Sequence, residues 1–564
     1  MNNILIWVIE MKKKIIILSI LLAFILTGFQ SSTAVNLENN STTKNDRIIR
    51  LSTEDLPSKF DWRDVNGTNF VTPIRNQGMI PSCETFAFTA AVETLIQIKV
   101  GYPFGCDLSE AHLYYYSGGN TFWGSIPEND TNYLVEHGIP DEACWPYPKE
   151  NKQWPLNTTS PDWKQRTVKL KDWYYLPEDI DTIKSAIVNN GPVPTYFHVY
   201  KDFRFHKKGI YKHRWGESSG PHYICIVGYN DDPGYWIVKN SWGTGVNDEG
   251  WFNIAYGECE IEKKSYYFDT VYGQFPIAYV DDDNIAGPWN GTKAQPYKTI
   301  QQAIDNVYDG YTIYVYNGTY YENLVINKTV NIDGECRETT IIDGGNNGDI
   351  VTIERPNVRI SGFTIRNSGE RLFDSGIKTL TLYTYLTIKN NIIYNNDIGI
   401  FLNYMDYTPS WNVIEDNIIY NNNDGIYSHW DCFNTVYNNK IFNNIDDGIE
   451  FTRCQSSTIK NNELKNNGNC AIFLRGASSY NTVENNIIEN NSLGIKLSES
   501  HKVKISKNNF VDNCQQATFY NSFLNKWRGN YWNDWNKIRP RPIWGKINRL
   551  PWMNFDLFPR QKFI

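Results

Sequence analysis

From about residue 278 the chain repeats itself, and the repeat restricts the fold more than any other feature. The dipeptide Gly-Ile begins at Gly376, Gly399, Gly425, Gly448 and Gly494, and Ala471-Ile472 fills the gap. The steps are 23, 26, 23, 23 and 23 residues. A second marker, an Asn shortly before an apolar position, falls at Asn391, Asn417, Asn439, Asn462, Asn486 and Asn509. Short β-type runs separated by Asn-rich turns at a fixed period describe a stacked solenoid, in which each coil buries its apolar face against the next. Helical repeats need longer periodic runs and tolerate less Asn. Asn suits the turns because it accepts left-handed backbone and can hydrogen-bond along a stack. Disorder is excluded by Ile, Leu and Phe recurring at fixed phase.

This half resembles the right-handed parallel β-helix family of carbohydrate-binding and NosD-type proteins, over roughly Ala278 to Trp535. The entrance carries Val280-Asp281-Asp282-Asp283, then Pro296 to Ile300 leading into an amphipathic helix, Ile300 to Val307, suited to capping the open end. Trp527, Asn530, Tyr531, Trp532 and Trp535 are expected to plug the other end. Asp424, Asp446, Asp447, His429, Glu450 and Arg475 lie near one another in phase and could suggest a sugar-cleaving groove. However, Asp424 and Asp447 precede the Gly of the marker, which reads as a turn position, and turn Asp is the simpler account. Tyr394, Tyr420, Tyr427 and Tyr437 recur along what reads as one long face, either packing between coils or presenting rings to sugars. Cys432 and Cys454, about one coil apart, could pair as a disulfide. The NosD resemblance raises copper, yet five Met, no His-Met cluster and no Cys-x-x-Cys give no basis for a metal, and no cofactor is expected.

The first half has no repeat. Its frame Asn76 to Phe88 places Cys83 just before Ala87 to Ile98, which has apolar residues at helical spacing. A thiol at a helix N-terminus is favoured as thiolate by the dipole and the unpaired N–H groups. Gln77, with the Cys83 backbone N–H, could offer a donor pair to a developing oxyanion. Gly220 to Tyr229 puts His222 at the head of an apolar strand, and Tyr235 to Gly243 ends a second strand at Asn240. Asn240 can fix the imidazole tautomer so that the other nitrogen faces the thiol, while Trp242 shields the bond.

These frames resemble papain-like cysteine peptidases from Leu56 to about Ile261, including Leu108-Ser109-Glu110, Trp145-Pro146-Tyr147 and Asn240-Ser241-Trp242-Gly243. The resemblance implies an α+β two-lobe fold, a helical lobe and a β-barrel lobe with the peptide cleft between them. It implies Cys83 as nucleophile, His222 as base, Asn240 as its orienter and Gln77 in the oxyanion hole. Four departures stand out. Glu84 replaces the usual Trp, and either senses the thiolate or, the preferred reading, faces solvent. Ile80 replaces a disulfide Cys. Cys259 lacks its expected partner, with Gly216 near that place. The leader is short.

Lys12 to Lys14, the apolar run Ile15 to Phe29 and Ser32-Thr33-Ala34 read as a signal peptide. The expected organisation is 1–34 signal peptide, 35–55 leader, 56–275 peptidase, 276–526 β-helix and 527–564 C-terminal cap. The protein is then secreted or extracellular, with cell-surface association as an open alternative, and the mature chain has no integral membrane span. The net charge of -8 speaks against nucleic acid as partner. Ten Cys in an exported chain invite disulfides.

The leading expectation is a secreted cysteine endopeptidase acting on proteins or peptides, its β-helix targeting it to a carbohydrate or cell-envelope polymer. The alternatives are a carbohydrate-binding or adhesive β-helix protein with a vestigial peptidase domain, and a polysaccharide-degrading β-helix with an accessory protease.

Overall fold

The computed structural model describes residues 47–53, 55–120, 124–148, 160, 162–380, 384–537 and 539–563. The expected signal peptide and most of the expected leader lie outside the described residues. The chain divides into two compact units, residues 1–275 and 276–564. Among the described residues no helix is long and apolar enough to cross a membrane.

In the first unit, strand β1 (Lys59–Asp61) is followed by helix α1 (Cys83–Val100). Residues 85–97 of α1 are buried on every side. Most of its polar members are satisfied, the Thr89 hydroxyl excepted. Glu93 accepts from the Thr72 hydroxyl at 2.5 Å and the Leu108 amide at 2.9 Å, and Gln97 donates to Phe70 O at 2.6 Å. Gly101, at φ 78°, ends the helix in the left-handed conformation that glycine adopts without strain. Two shorter helices follow, α2 (Glu110–Tyr116) and α3 (Pro127–Glu136).

The strands that join β1 in the main sheet are β2 (Val193–Tyr200), β3 (Ile210–Tyr211), β4 (Ser218–Asn230), β5 (Tyr235–Lys239) and β6 (Trp251–Ala255). They form one sheet ordered β1-β4-β5-β6-β3, with β2 also paired to β4. Pairing is antiparallel except for β3 with β6. The long strand β4 is buried from His222 to Tyr229, and α1 packs across it. One sheet strand and one helix start are thereby brought together, the arrangement that the site requires.

The second unit is a parallel β-solenoid. A typical coil consists of Thr387–Lys389, Ile392–Tyr394 and Ile398–Pro409. The middle strands of successive coils form a ten-stranded sheet of their own. Residues stack in register, so Ile360, Ile388, Ile414, Val436 and Ile459 form one buried column and Ile365, Ile393, Ile419 and Ile441 another.

Each Asn-Asn pair divides its labour. The first Asn takes left-handed backbone at the corner, as at Asn390 (φ 53°), Asn438 (57°) and Asn461 (57°). The second is buried, and its amide donates to the next coil: Asn391 to Asn417, Asn417 to Asn439, Asn439 to Asn462, Asn462 to Asn486, and Asn486 to Asn508, all within 2.9–3.1 Å. The ladder residue of that last coil is Asn508, one position before the Asn509 of the sequence marker. A second ladder joins Asn396, Asn422, Asn444, Asn467, Asn491 and Asn513.

The glycines of the Gly-Ile marker are not turn residues, which corrects the sequence reading. Gly399 and Gly425 lie inside strands, and a Cβ on either would stand 2.5 Å from the carbonyl oxygen of the following coil. Close approach of stacked backbones, not turn geometry, demands glycine there.

At the entrance, helix Ile300–Asn306 is capped by Thr299, whose hydroxyl accepts from the Gln302 amide, and it packs on Ile277–Val280 and Thr312–Val315. At the far end Trp527 and Trp532 close the apolar columns and still stack in register on Ile505 and Phe510. A hairpin of Arg541–Ile547 and Leu550–Asp556 follows. Its buried Asp556 accepts from the Gly529 and Asn530 amides, the Asn530 side chain and the Trp532 indole, so a carboxylate terminates the Asn ladder.

All ten cysteines are free. The Cys432–Cys454 pairing is not formed. Cys454 Sγ lies 3.1 Å from Ser428 O, and Cys432 Sγ accepts from the Gln455 amide at 3.2 Å.

Candidate active site

Gln77 is held by a short antiparallel contact in which Asn76 pairs with Trp242, the Gln77 amide donates to Ser241 O at 2.9 Å and Gly243 donates to Arg75 O at 3.0 Å. The Gln77 side chain is fixed at both ends of its amide. Its oxygen accepts from the Ser241 hydroxyl at 2.7 Å, and its nitrogen donates to Ile80 O at 3.0 Å. Six residues later Cys83 opens α1. Ser82, just before it, gives no side-chain cap. Its hydroxyl pairs with the Tyr147 hydroxyl at 2.9 Å, and Tyr147 donates to Gln77 O at 2.9 Å.

On the facing strand, His222 is 5% exposed and its Nε2–H donates to Asn240 Oδ1 at 2.8 Å. The same oxygen accepts from the Ser241 amide at 2.8 Å, and the Asn240 nitrogen donates to Asn247 Oδ1 at 3.1 Å. The Trp242 ring stacks on the imidazole, with centroids 4.4 Å apart. Burial pulls the His222 pKa down to about 4 against the opposing pull of Asn240, so the imidazole is neutral near pH 7.

The backbone amide of Tyr223, the residue next to His222, acts on the Cys83 sulfur in the direction that favours the thiolate. The thiol's own hydrogen is directed elsewhere, to Glu84 Oε2 at 3.4 Å. The preferred expectation of a solvent-facing Glu84 is therefore overturned. Burial first, and the Glu84 charge second, hold the thiol well above the usual cysteine range. Burial likewise raises Glu84 above the usual carboxylate range.

Gln77, His222 and Asn240 thus share one bonded network through Ser241, and Cys83 abuts it at Tyr223. Sequence reasoning did not single out Ser241, although it sits inside the Asn-Ser-Trp-Gly frame, nor Tyr147 or Asn247. For Asn247, a lone polar residue in a loop, no signal was available. Of the remaining histidines, His112 is buried among Tyr116, Tyr133, Trp145 and Trp163, while His213 pairs with Asp202 at 3.2 Å and His198 with Glu260 at 3.4 Å.

In the second unit the four tyrosines do not share a face. Tyr394 and Tyr420 stack with Phe442 on the middle-strand sheet, at 5.0 and 5.1 Å between centroids. Tyr427 lies under Phe401 and Phe373 on the long strands, and Tyr437 packs against Lys460 on a third face. The stacked rings cover one another's faces, so the packing alternative describes them. Trp544 of the terminal hairpin differs. It is 56% exposed and stands between a cavity of about 500 Å³ lined by Asp512, Gln515, Asn533, Asp534 and Arg541 and one of about 300 Å³ lined by Lys496, Thr518, Tyr520 and Lys546.

Asp424, Asp446 and Asp447 gather with ligand oxygens within 4.8 Å of one another. Two of these carboxylates are engaged between coils. Asp424 accepts from the Asp447 amide at 2.9 Å and Asp447 from the Cys470 amide at 2.8 Å.

Compared with known proteins, residues 56–268 match the papain family cysteine protease, and residues 304–537 match the periplasmic copper-binding protein NosD. A cathepsin L-like protein of Caenorhabditis elegans is 32% identical over 227 residues, 38% of this chain and 64% of that one. Cathepsin C of Schistosoma mansoni is 31% identical over 255 residues, 41% of this chain and 55% of that one. Cysteine proteinase 2 of Entamoeba histolytica is 30% identical over 229 residues, 39% of this chain and 70% of that one. The chain therefore spans less than two thirds of the first two relatives. Among the described residues, the one clustered set of ligand atoms does not fit copper. The Asp424, Asp446 and Asp447 trio offers hard oxygen donors, whereas copper sites draw on thiolate, thioether or imidazole.

Proposed function

This chain belongs to the papain family of cysteine proteases, and on that premise we propose that it is a secreted endopeptidase that cleaves proteins or peptides through Cys83. The observation that carries the reading is the His222–Asn240 bond beneath Trp242, on the strand whose next amide touches the Cys83 sulfur. Because Nε2–H is committed to Asn240, Nδ1 is the bare nitrogen. It takes the thiol proton, giving a thiolate and an imidazolium. The thiolate attacks the scissile carbonyl carbon. The oxyanion that forms is held by the Cys83 backbone N–H and by the second hydrogen of Gln77 Nε2. The imidazolium protonates the leaving amine as the C–N bond breaks, leaving a thioester. Water then attacks the thioester with His222 accepting its proton, and the acid product departs with Cys83 restored.

The test is a peptide-library cleavage profile of the full-length protein, with Cys83→Ala as control. Cleavage that persists undiminished in Cys83→Ala removes the assignment. Export is supported by the basic, apolar and small-residue runs from Lys12 to Ala34.

The β-helix holds the peptidase to a polymer, with carbohydrate as the preferred class. Support comes from Trp544, an exposed indole flanked by cavities with amide, carboxylate and ammonium linings, the chemistry that sugars meet by stacking and hydrogen bonds. Retention of the full-length protein on polysaccharide columns, lost in Trp544→Ala while peptide cleavage continues, is the expected outcome. Equal retention of both forms, or none on any polymer, contradicts it.

A further inference from the structure

The second residue of α1 is a carboxylic acid placed directly against the sulfur, where its charge opposes the thiolate that the chemistry requires. The Cys83 thiol donates to Glu84 Oε2 at 3.4 Å, and among the described residues no hydrogen bond joins Cys83 to His222. The Glu84 carboxylate is accommodated by Gly124. A Cβ there would stand 3.5 Å from Oε1, 3.7 Å from Oε2 and 2.9 Å from Pro81 O, at φ +84°. Among the described residues, the titratable groups that interact with Glu84 are all acids: Cys83 on α1, Tyr114 on α2, Asp130 on α3 and Tyr223 on β4. Asp130 is itself tied to the Ser117 and Ser125 hydroxyls.

We propose that Glu84 is a positioning residue that latches the nucleophile: its carboxylate keeps Cys83 as a thiol turned away from His222, and protonation of Glu84 in acid releases the sulfur for the imidazole. The proposal rests on the reading of Cys83 as nucleophile. No covalent step is involved. Glu84 gains a proton from solvent, the thiol hydrogen bond to it is lost, and the thiol proton passes to His222 Nδ1. The direction follows from charge. While ionised, Glu84 opposes a second negative charge on the sulfur; once neutral it no longer does, and its own O–H can donate to the thiolate. Burial sets the carboxyl above its usual range, so release begins at a higher pH than an ordinary carboxyl would allow. The window closes near the His222 value of about 4, where solvent protonates the imidazole and it can no longer accept from the thiol.

The test measures the alkylation rate of Cys83 by iodoacetamide in the full-length protein, read by mass spectrometry, from about pH 4 to pH 9, beside kcat/KM on a peptide substrate. Wild type is compared with Glu84→Gln, which keeps the shape without the charge, and with Glu84→Ala, each checked for an unaltered thermal melt. Both variants should alkylate about tenfold or more faster at neutral pH, the effect of one unit in thiol pKa. Their kcat/KM near pH 7 should rise in parallel and the acid preference of wild type should flatten. Superimposable alkylation profiles for wild type and both variants overturn the latch. The two readings fail separately. A shifted alkylation profile without peptide cleavage by any form refutes the peptidase and leaves the latch, whereas cleavage with an unshifted profile refutes the latch alone.

Discussion

His222 Nε2 and Asn240 Oδ1 lie 2.8 Å apart beneath the Trp242 ring, and that Asn oxygen also accepts from the Ser241 amide. The orientation of the Asn240 amide is therefore fixed from two sides, and with it the tautomer of His222. Asn240→Ala should lower kcat roughly tenfold, about 1.4 kcal/mol of barrier, because the base loses its orienter and no proton carrier is removed. Asn240→Asp should instead place a carboxylate against the imidazole and raise its pKa above about 4. The acid limb of the pH–rate profile then moves to higher pH, and an NMR titration of the imidazole checks it independently. No movement in either contradicts the pairing.

Ser241 Oγ holds the Gln77 carbonyl at 2.7 Å, leaving the amide nitrogen turned to Ile80 O and the site. Gln77→Ala should cut kcat about a hundredfold with KM little changed, the signature of a donor used in the transition state. Ser241→Ala should give a smaller loss of the same kind, since the amide is then free to rotate. A rise in KM alone would point to ground-state binding instead.

The buried Asn ladder predicts a sharp contrast between neighbours. Asn462 donates to Val436 O, Lys460 O and Asn486 Oδ1 and accepts from Asn439, all within 2.9–3.0 Å. Asn462→Leu should destabilise the solenoid by several kcal/mol, since each orphaned buried group costs about 1–3 kcal/mol. Asn461→Gly, at φ 57°, should change stability by less than about 1 kcal/mol. Denaturant unfolding followed in the second unit distinguishes the two, and equal losses would refute the division of labour.

Asp447 is buried, and its carboxyl is pushed up to about 8, chiefly by burial. Its unfolded value is near 3.9. A raised folded value means that its contribution to stability is full below about 3.9 and lost as pH rises through about 8. The melting temperature of the second unit should therefore fall between about pH 4 and pH 8. Asp447→Asn, which can still accept from the Cys470 amide, should flatten that fall. A steeper fall in the variant would contradict the sign.

The solenoid was legible because its period is written in residue types that stacked coils require: Ile at inward positions, Asn at corners, Gly where backbones nearly touch. The papain-like fold and the frames around Cys83, His222 and Asn240 were legible because they are local. What could not be read depends on side-chain direction across the chain. Sequence places Glu84 beside Cys83 but cannot say whether a second helical residue faces water or sulfur; the burial of α1 decides it. The four tyrosines read as one face because spacing along the chain does not say which strand of a coil each occupies; Tyr394 pairs with Tyr420 on the middle-strand sheet, whereas Tyr427 pairs with Phe401 on the long strands. Trp544 carried no repeat signal, since the terminal hairpin leaves the period.

The central claim is that Cys83 is the nucleophile, and the most direct measurement is covalent labelling of the full-length protein by an epoxysuccinyl thiol inhibitor, mapped by mass spectrometry alongside peptide cleavage. The account predicts a single adduct at Cys83 and loss of cleavage in proportion to labelling, with no adduct in Cys83→Ala. Labelling at another cysteine with Cys83 untouched, or full cleavage by the labelled protein, would contradict it.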